Sequence, residues 1–164
     1  MNKTLIALPS IQIVGIKTRT SNKLEIDPKT AQIGSMVQRY FQELMAEKIP
    51  NRKHPGKTYA VYTEYESDYE SAYTYFLGEE VTSFDKDLKN FDKHVIPIQH
   101  YSRFTTESGP MPMVVINAWQ KIWKMSLDEL GGKRNYQTDF EVYDSSAADF
   151  SNAVVDIFIG IEPR

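Results

Sequence analysis

The amino-acid sequence predicts an α+β fold in which an antiparallel sheet packs against two helices. Two segments of the 164-residue chain show apolar side chains at helical spacing. Six other segments are rich in Val, Ile, Tyr, Phe and Thr, which favour strands. Short turns separate most of these strands, and this favours antiparallel pairing. The predicted order is β-α-β-β-β-α-β-β, which is a β-α-β-β unit that occurs twice.

The first helix is predicted over residues 28–48. Asp27 is a good N-cap, and Pro28 suits the first helical position because its missing N–H would have no partner there. Apolar side chains then recur at helical spacing, while polar ones take the other side. Pro50 predicts the end of the helix, because the residue before a proline avoids helical geometry.

The second helix is predicted over residues 111–130. It begins after Pro110, which follows Ser and Gly in a turn-forming sequence, and it ends at the pair Gly131-Gly132. Both tryptophans of the chain lie on its apolar stripe, one helical turn apart. The residues of this stripe are Val115, Trp119, Ile122 and Trp123.

Strands are predicted where β-forming residues cluster, and a polar loop at residues 84–93 divides the chain near its middle. The first ten residues carry one lysine and an apolar run too short for a secretory signal, so we expect a strand or an arm there. The six predicted strands cover residues 11–19, 58–66, 73–82, 95–106, 138–143 and 153–162.

An internal repeat supports this symmetric order. Residues 59–62 (Tyr-Ala-Val-Tyr) match residues 140–143 (Phe-Glu-Val-Tyr) at an offset of 81. Residues 76–80 (Phe-Leu-Gly-Glu-Glu) match residues 158–162 (Phe-Ile-Gly-Ile-Glu) at an offset of 82. Because the matches come in the same order at nearly constant offset, they indicate a duplication.

The duplicated halves are expected at about residues 11–83 and 95–163 of a single domain that spans residues 1–164. Two such halves would be related by a pseudo-twofold axis, with a central groove along it. Ligands commonly bind at internal interfaces of this kind. The symmetry breaks at the equivalent positions Ala60 and Glu141, where one half has a methyl group and the other a carboxylate.

Two interpretations of Glu141 are open from the local sequence. In the first, which the local sequence favours, Glu141 is an exposed strand residue. In the second, it faces an enclosed aromatic groove, where an ionised carboxylate needs a partner or a proton, and a cationic ligand would be that partner. Strand alternation puts Glu141 on the face of Asp139 and Tyr143, but period alone does not say which face is buried.

The composition excludes several classes of function. The chain has no cysteine, which rules out disulfides, thiolate zinc sites and cysteine nucleophiles. The net charge is −3 and the basic residues 48–57 are typical of a solvated loop, so no direct nucleic-acid binding is expected. No apolar run approaches the length of a membrane helix, and we expect a cytoplasmic location. His94 and His100 support a metal only weakly, so neither a metal site nor a cofactor is predicted.

Four segments resemble the GyrI-like small-molecule-binding domains, which also serve as effector-binding domains of AraC-type and MerR-type transcription activators. The resemblance covers the chain from Ile11 to Pro163. It rests on Val14-Gly15 in the opening strand, residues 119–123 (Trp-Gln-Lys-Ile-Trp), residues 139–143 (Asp-Phe-Glu-Val-Tyr) and the closing strand, residues 155–161.

This resemblance implies a groove that is lined by aromatic side chains and one acidic residue, and it gives the acidic role to Glu141. The tryptophans match the family's second helix, and Tyr40 falls near an aromatic position of the first. The residues that we expect to bind a ligand are Glu141, Trp119, Trp123, Tyr143, Tyr40, Tyr62 and Phe158.

The function implied is that of a stand-alone effector-binding domain for small hydrophobic, cationic aromatic ligands. It would act in transcription regulation, or in sensing and sequestering drugs or toxins. Unlike the fused activators, the chain shows no helix-turn-helix before Ile11. A binding role is favoured over an enzymatic one. Two alternatives stay open: a small hydrolase of the same fold with Glu141 as general base and Tyr143 as donor, and an inhibitor or regulator of a protein partner such as DNA gyrase.

Overall fold

Residues 1–163, which the computed structural model describes, form nine β-strands and four α-helices, and the predicted α+β class is confirmed. No helix among these residues is long and apolar enough to cross a membrane. The strands are β1 (Asn2–Leu8), β2 (Ile11–Ser21), β3 (Thr58–Thr63), β4 (Ala72–Glu80), β5 (Asp92–Ile96), β6 (Gln99–Thr105), β7 (Gly132–Arg134), β8 (Thr138–Tyr143) and β9 (Asp156–Pro163). The helices are α1 (Asn22–Ile26), α2 (Ile33–Gln42), α3 (Met113–Trp123) and α4 (Leu127–Leu130), with 3₁₀ turns at Met45–Lys48 and Ser145–Ala147.

The strands belong to one antiparallel sheet, and their order is symmetric about its centre. Eight of them follow the path β1-β6-β9-β8-β3-β4-β2-β5, and β7 pairs with β9. Outward from the central pair β3–β8, the strands β4 and β2 of the first half correspond to β9 and β6 of the second. The edge strands cross over, because β1 pairs with β6 and β5 pairs with β2. The edge strand β1, from the start of the chain, therefore extends the second half of the sheet, and β5 extends the first half.

The register of β3 and β8 shows where the symmetry axis lies. It pairs Ala60 with Glu141, the two residues that the repeat offset of 81 also makes equivalent. Tyr62 and its equivalent Tyr143 lie two positions farther along their strands, on opposite sides of this pair. A twofold axis between Ala60 and Glu141 accounts for both observations.

Strands β2 and β4 approach closely where Gly15 lies opposite Gly78. A Cβ atom on Gly78 would overlap the carbonyl oxygen of Val14, and a Cβ atom on Gly15 would overlap that of Leu77. Only glycine fits at either position, because the obstacle in each case is backbone. The close approach of these two strands of the first half therefore requires glycine at both positions.

The helix predicted over residues 28–48 is shorter than expected, and its predicted N-cap is wrong. Asp27 instead ends α1, where its side chain accepts a hydrogen bond from the Lys29 N–H, and α2 begins only at Ile33. An Asp-Pro pair is a turn signal as well as a helix-start signal, and here it forms the turn. Leu44 adopts a left-handed backbone with φ of 50°, which ends the regular helix before its predicted end.

The second predicted helix, over residues 111–130, is divided in two. It stops at Trp123, and α4 begins after Ser126, whose hydroxyl accepts from the Glu129 N–H. The Glu129 carboxylate in turn accepts from the Ser126 N–H. This capping box starts a new helix inside the predicted one. Gly131, with φ of 83°, ends α4 where the sequence predicted the end.

Most of the predicted strands are present, with three differences. The first residues, where a strand or an arm was expected, form the edge strand β1, so they are not one of these differences. Residues 132–134 add the short strand β7, which no sequence pattern indicated. The segment 95–106 is two strands, because Pro97 has no N–H to donate and β5 and β6 pair with different neighbours. The last strand begins at Asp156 rather than at Ala153.

Hydrophobic cores lie on both faces of the sheet. On one face, α3 packs against β6 and β9, and α2 packs against β2 and β4. On the opposite face, an aromatic-rich core contains Phe140 and Phe158, whose rings stack with centroids 4.5 Å apart. The two helices thus cover the two halves of the sheet, and the central strands β3 and β8 are left to line a cavity between them.

Candidate functional site

A cavity of about 850 Å³ lies between α2, α3 and the central strands of the sheet. Its volume is within the range of small-molecule sites. Ten of its thirty lining residues are aromatic, and the charged ones are Glu25, Arg134, Glu141 and Asp144. Among residues 1–163, no three His, Cys, Asp or Glu side chains converge to hold a metal ion. The cavity thus combines a large aromatic wall with a few charged groups.

Glu141, in β8, lines this cavity and is only 2% exposed. Its Oε1 atom accepts hydrogen bonds from the hydroxyl of Tyr62 (2.8 Å) and the indole N–H of Trp119 (2.7 Å). Its Oε2 atom accepts one from the hydroxyl of Tyr143. All three donors are neutral. The interpretation of Glu141 as an exposed strand residue, which the local sequence favoured, is therefore wrong.

Three separate elements bring these donors to the carboxylate. Tyr143 follows Glu141 by two positions on β8, so strand alternation puts both side chains on one face. Tyr62 reaches it from β3 as a diagonal neighbour in the antiparallel register. Trp119 comes from the buried stripe of α3. Ala60, directly opposite Glu141, contributes only a methyl group and so leaves room for the larger rings.

Burial raises the pKa of Glu141 above its usual value, although the hydrogen bonds from Tyr143, Trp119 and Tyr62 act to lower it. Among residues 1–163, no ion pair includes Glu141. A carboxylate accepts about four hydrogen bonds, and three are made here. The negative potential that remains in a poorly solvated cavity would attract a cation.

Asp139, two residues before Glu141, shows how a neighbouring carboxylate is compensated. Its Oδ2 atom lies 2.6 Å from Nη2 of Arg134 and accepts a hydrogen bond from the Tyr65 hydroxyl at 2.7 Å. Its Oδ1 atom accepts one from the Gly160 N–H at 2.8 Å. The charge of Asp139 is thus balanced by a buried guanidinium, whereas the three donors that residues 1–163 offer to Glu141 are neutral.

The tyrosines around Glu141 are neutral donors and ring surfaces. Burial raises the pKa values of Tyr62, Tyr75 and Tyr143 well above 10, and the negative charge of Glu141 adds to the rise. The ring of Tyr62 lies 5.1 Å from that of Trp119 and 5.4 Å from that of Tyr75. A cation beside Glu141 would therefore also contact aromatic faces, which attract it through their quadrupoles.

Trp123 and Tyr69 form a second aromatic surface of the cavity. Their rings stack with centroids 5.6 Å apart and planes 14° apart, and both side chains are half-buried. Both residues line the cavity. A stacked, partly exposed pair offers a flat apolar surface to a planar molecule.

Of the seven residues predicted to bind a ligand, the structure brings five together in the cavity wall and places two elsewhere. Tyr40 is fully buried in the core between α2 and the sheet, together with Met36. Phe41, the next residue of the helix, lines the cavity instead. The five residues in the wall are Glu141, Trp119, Trp123, Tyr143 and Tyr62.

Phe158 is the second predicted site residue that does not line the cavity. Its neighbours Ile157 and Ile159 face α3, so strand alternation turns Phe158 to the opposite face of the sheet. There its ring stacks on that of Phe140. The prediction that Phe158 belongs to the groove is corrected, because its side chain is on the wrong face.

Sequence reasoning also missed several residues of the cavity. Tyr73 and Tyr75 alternate along β4, and their period of two could have assigned both to one face. Glu25 and Arg134 carried no local signal. Glu25 accepts hydrogen bonds from the first N–H groups of α2, including that of Ile33, so its position depends on a turn that the sequence pattern did not reveal.

Comparison with known proteins identifies relatives along nearly the whole chain. Residues 4–161 match the family model described as Cass2, integron-associated effector binding protein. An integron cassette protein from the mobile metagenome of Vibrio cholerae, known from a crystal structure, is 30% identical with a TM-score of 0.76. The match covers 98% of this chain and 95% of that one.

A further relative and a solved structure of the same fold span most of the chain. YobU of Bacillus subtilis (strain 168), to which a role as a transcriptional regulator is attributed, is 27% identical over 152 residues, 92% of either chain. SAV2435, whose structure was solved bound to tetraphenylphosphonium, shares the fold with a TM-score of 0.76 at 18% identity. That match covers 99% of this chain and 94% of the other.

Proposed function

The chain belongs to the Cass2 family of integron-associated effector-binding proteins, and from this premise we propose that it binds small hydrophobic, cationic aromatic molecules in the cavity around Glu141. The ligand's positive centre lies beside the Glu141 carboxylate, and its apolar surface lies against the aromatic wall. Such binding serves transcription regulation, or the sensing and sequestration of toxic compounds.

The observation that carries this proposal is a buried carboxylate whose partners are all uncharged. Glu141 receives hydrogen bonds from Tyr62, Trp119 and Tyr143, but it forms no ion pair with any positive group of residues 1–163. Burial makes the ionised form costly, and a bound cation would remove much of that cost. Each aromatic face that the cation contacts would add about 0.5–2 kcal/mol.

The comparisons support the same class of ligand. SAV2435, which shares the fold, was solved with tetraphenylphosphonium, a lipophilic aromatic cation. The cavity of about 850 Å³ has room for a molecule of that kind. Tetraphenylphosphonium is therefore the first probe to use on this protein.

The experiment is a titration with tetraphenylphosphonium, comparing the wild type with Glu141→Gln. The glutamine oxygen would still accept from Tyr62 and Trp119, and its amide would donate to the Tyr143 oxygen, so the substitution removes the charge and keeps the packing. We expect the affinity to fall by about 2 kcal/mol, or roughly 30-fold, because one partner of a close charge pair is lost. Calorimetry gives the Kd. Tryptophan fluorescence is a second readout, since both tryptophans line the cavity.

Glu79→Gln is the matched control. Glu79 is another buried glutamate, 1% exposed, but it pairs with Arg52 and does not line the cavity. Its neutralisation should leave the Kd unchanged. If tetraphenylphosphonium does not bind the wild type, or binds Glu141→Gln equally well, the proposal is wrong.

A hydrolase is the second candidate, and the raised pKa of Glu141 is what favours it. A carboxyl group with a raised pKa suits a general base, and Tyr143 could donate a proton. Turnover of activated or strained electrophiles, lost in Glu141→Gln but kept in Tyr62→Phe, would establish this activity. Binding of the same compounds without turnover would leave the binding function alone.

A further inference from the structure

Arg134 is the one cation that residues 1–163 place in the cavity wall, and it has unused hydrogen-bonding capacity. Arg134 ends β7, is 7% exposed and lines the cavity. Its Nη2 atom donates to Asp139 at 2.6 Å. Its Nε and Nη1 atoms are buried and have no hydrogen-bond partner within residues 1–163. Because a buried donor without an acceptor is costly, these two atoms require an explanation.

Within residues 1–163, the neighbours of the Arg134 guanidinium besides Asp139 include two aromatic rings. The Cζ atom lies 4.3 Å from the ring centroid of Tyr136 and 6.0 Å from that of Trp119. Tyr136 is half-buried in the turn between β7 and β8 and has a left-handed backbone, with φ of 52°. Aromatic faces stabilise the charge of a guanidinium, but they do not accept the in-plane hydrogen bonds of its N–H groups.

Trp119 connects Arg134 to the carboxylate of Glu141. Its indole N–H donates to Glu141, while its ring lies beside the guanidinium. The two groups of opposite charge therefore adjoin one indole ring, Glu141 at its N–H and Arg134 over its face, and both residues line one cavity. A ligand that fills the space in front of this ring can present one group to each.

We propose that Arg134 is a second polar subsite of the cavity, which binds a neutral acceptor oxygen of the same ligand whose cationic centre lies at Glu141. This inference rests on the proposed function and narrows its ligand class to amphipathic cations that carry a carbonyl or similar oxygen. A neutral acceptor is favoured over an anionic one, because Glu25, Glu141 and Asp144 also line the cavity and would repel a second negative charge.

Two probes of nearly equal shape test the inference: (4-oxopentyl)triphenylphosphonium and (4-methylpentyl)triphenylphosphonium. They differ only at the fourth carbon of the chain, which is a carbonyl in the first probe and a CH that bears a methyl group in the second. The wild type should bind the ketone as tightly as the 4-methylpentyl probe or more tightly. The reason is that Arg134 donates a hydrogen bond to the carbonyl oxygen in place of the one from water that the oxygen loses on binding. If the ketone instead binds more weakly than the 4-methylpentyl probe, its oxygen has no partner in the cavity and the inference is overturned.

The variant that removes the subsite is Arg134→Met combined with Asp139→Asn. Changing both residues avoids leaving the Asp139 carboxylate buried without its partner. The Kd of the ketone should rise by about tenfold relative to that of the 4-methylpentyl probe, because the ketone alone loses a hydrogen bond to a charged group. Equal losses for the two probes would overturn the inference.

Glu141→Gln separates this inference from the proposed function. Suppose that the 4-methylpentyl probe binds the wild type and that Glu141→Gln weakens this binding. If the ratio of the Kd values of the two probes is then the same with and without Arg134, the subsite is wrong and the proposed function stands. If neither probe binds the wild type, both are wrong. The wild-type comparison of the two probes decides the matter even if the double variant does not fold.

Discussion

Ala60 and Glu141 lie directly opposite each other in the central strand pair β3–β8, at positions that the internal repeat makes equivalent. The pseudo-twofold axis therefore passes through a pair that is itself asymmetric. Two glutamates there would repel each other in a buried site and raise the pKa of one of them strongly. The alanine leaves one carboxylate and enough space for the rings that surround it.

The affinity for a cation should depend on pH through Glu141. Because burial raises the pKa of Glu141, lowering the pH through that raised value neutralises the carboxylate and weakens cation binding, by up to about tenfold per pH unit. Titrations of tetraphenylphosphonium at a series of pH values measure this directly. Glu141→Gln should show a flat profile, and a wild-type profile equally flat would contradict the role of the carboxylate.

The free energy of unfolding of the ligand-free protein should rise as the pH falls, whereas the affinity for a cation falls. The folded state holds the Glu141 proton more tightly than the unfolded chain does, so between the two pKa values the folded state binds more protons. The contribution of Glu141 to the free energy of unfolding is therefore fully present below the unfolded pKa and is lost as the pH rises through the folded one. Urea unfolding measures the free energies of unfolding of the wild type and Glu141→Gln across this pH range. The difference between these two free energies should become smaller at low pH.

Tyr143→Phe should move the midpoint of the pH profile of cation binding to a higher pH. The hydrogen bond from Tyr143 is the largest of the three that lower the pKa of Glu141, so its loss raises that pKa further. Cation binding would then weaken at a higher pH than in the wild type. A midpoint that stays in place after Tyr143→Phe would show that this hydrogen bond does not stabilise the ionised carboxylate.

Trp123→Ala and Phe158→Leu should separate binding from stability. Trp123 stacks on Tyr69 in the cavity, so its loss should weaken tetraphenylphosphonium binding by about 1 kcal/mol, with Trp119 left as the fluorescent reporter. Phe158 is in the core on the other face, so Phe158→Leu should lower the free energy of unfolding by about 1 kcal/mol and leave the Kd unchanged. A changed Kd in Phe158→Leu would show that Phe158 contributes to ligand binding.

Two glycine substitutions should have opposite effects on stability. Gly78→Ala puts a Cβ atom into the Val14 carbonyl and should destabilise the fold by about 3 kcal/mol or more, because backbone must move. Gly34→Ala, in α2, meets no atom within 4 Å and should stabilise by about 0.5–1 kcal/mol, since alanine favours helix. Thermal unfolding gives the Tm of each variant. Equal Tm values for Gly78→Ala and Gly34→Ala would contradict the close contact between β2 and β4.

Several features of this protein follow from local patterns. The offset between the two halves was readable because a repeat preserves residue order, and it correctly made Ala60 and Glu141 equivalent. Helical spacing identified α3 and its tryptophans. The same patterns misplaced the start of α2, because an Asp-Pro pair suits both a helix start and a turn.

Local patterns in the sequence were enough to predict the class of fold, the duplication and the face that Glu141 shares with Tyr143. Three further facts required the packed molecule: this face is the buried one, Tyr62, 79 positions away, donates to Glu141, and Arg134 lies beside Trp119. Side-chain periodicity records which residues point the same way within one element, whereas contacts between distant elements depend on how whole strands and helices pack.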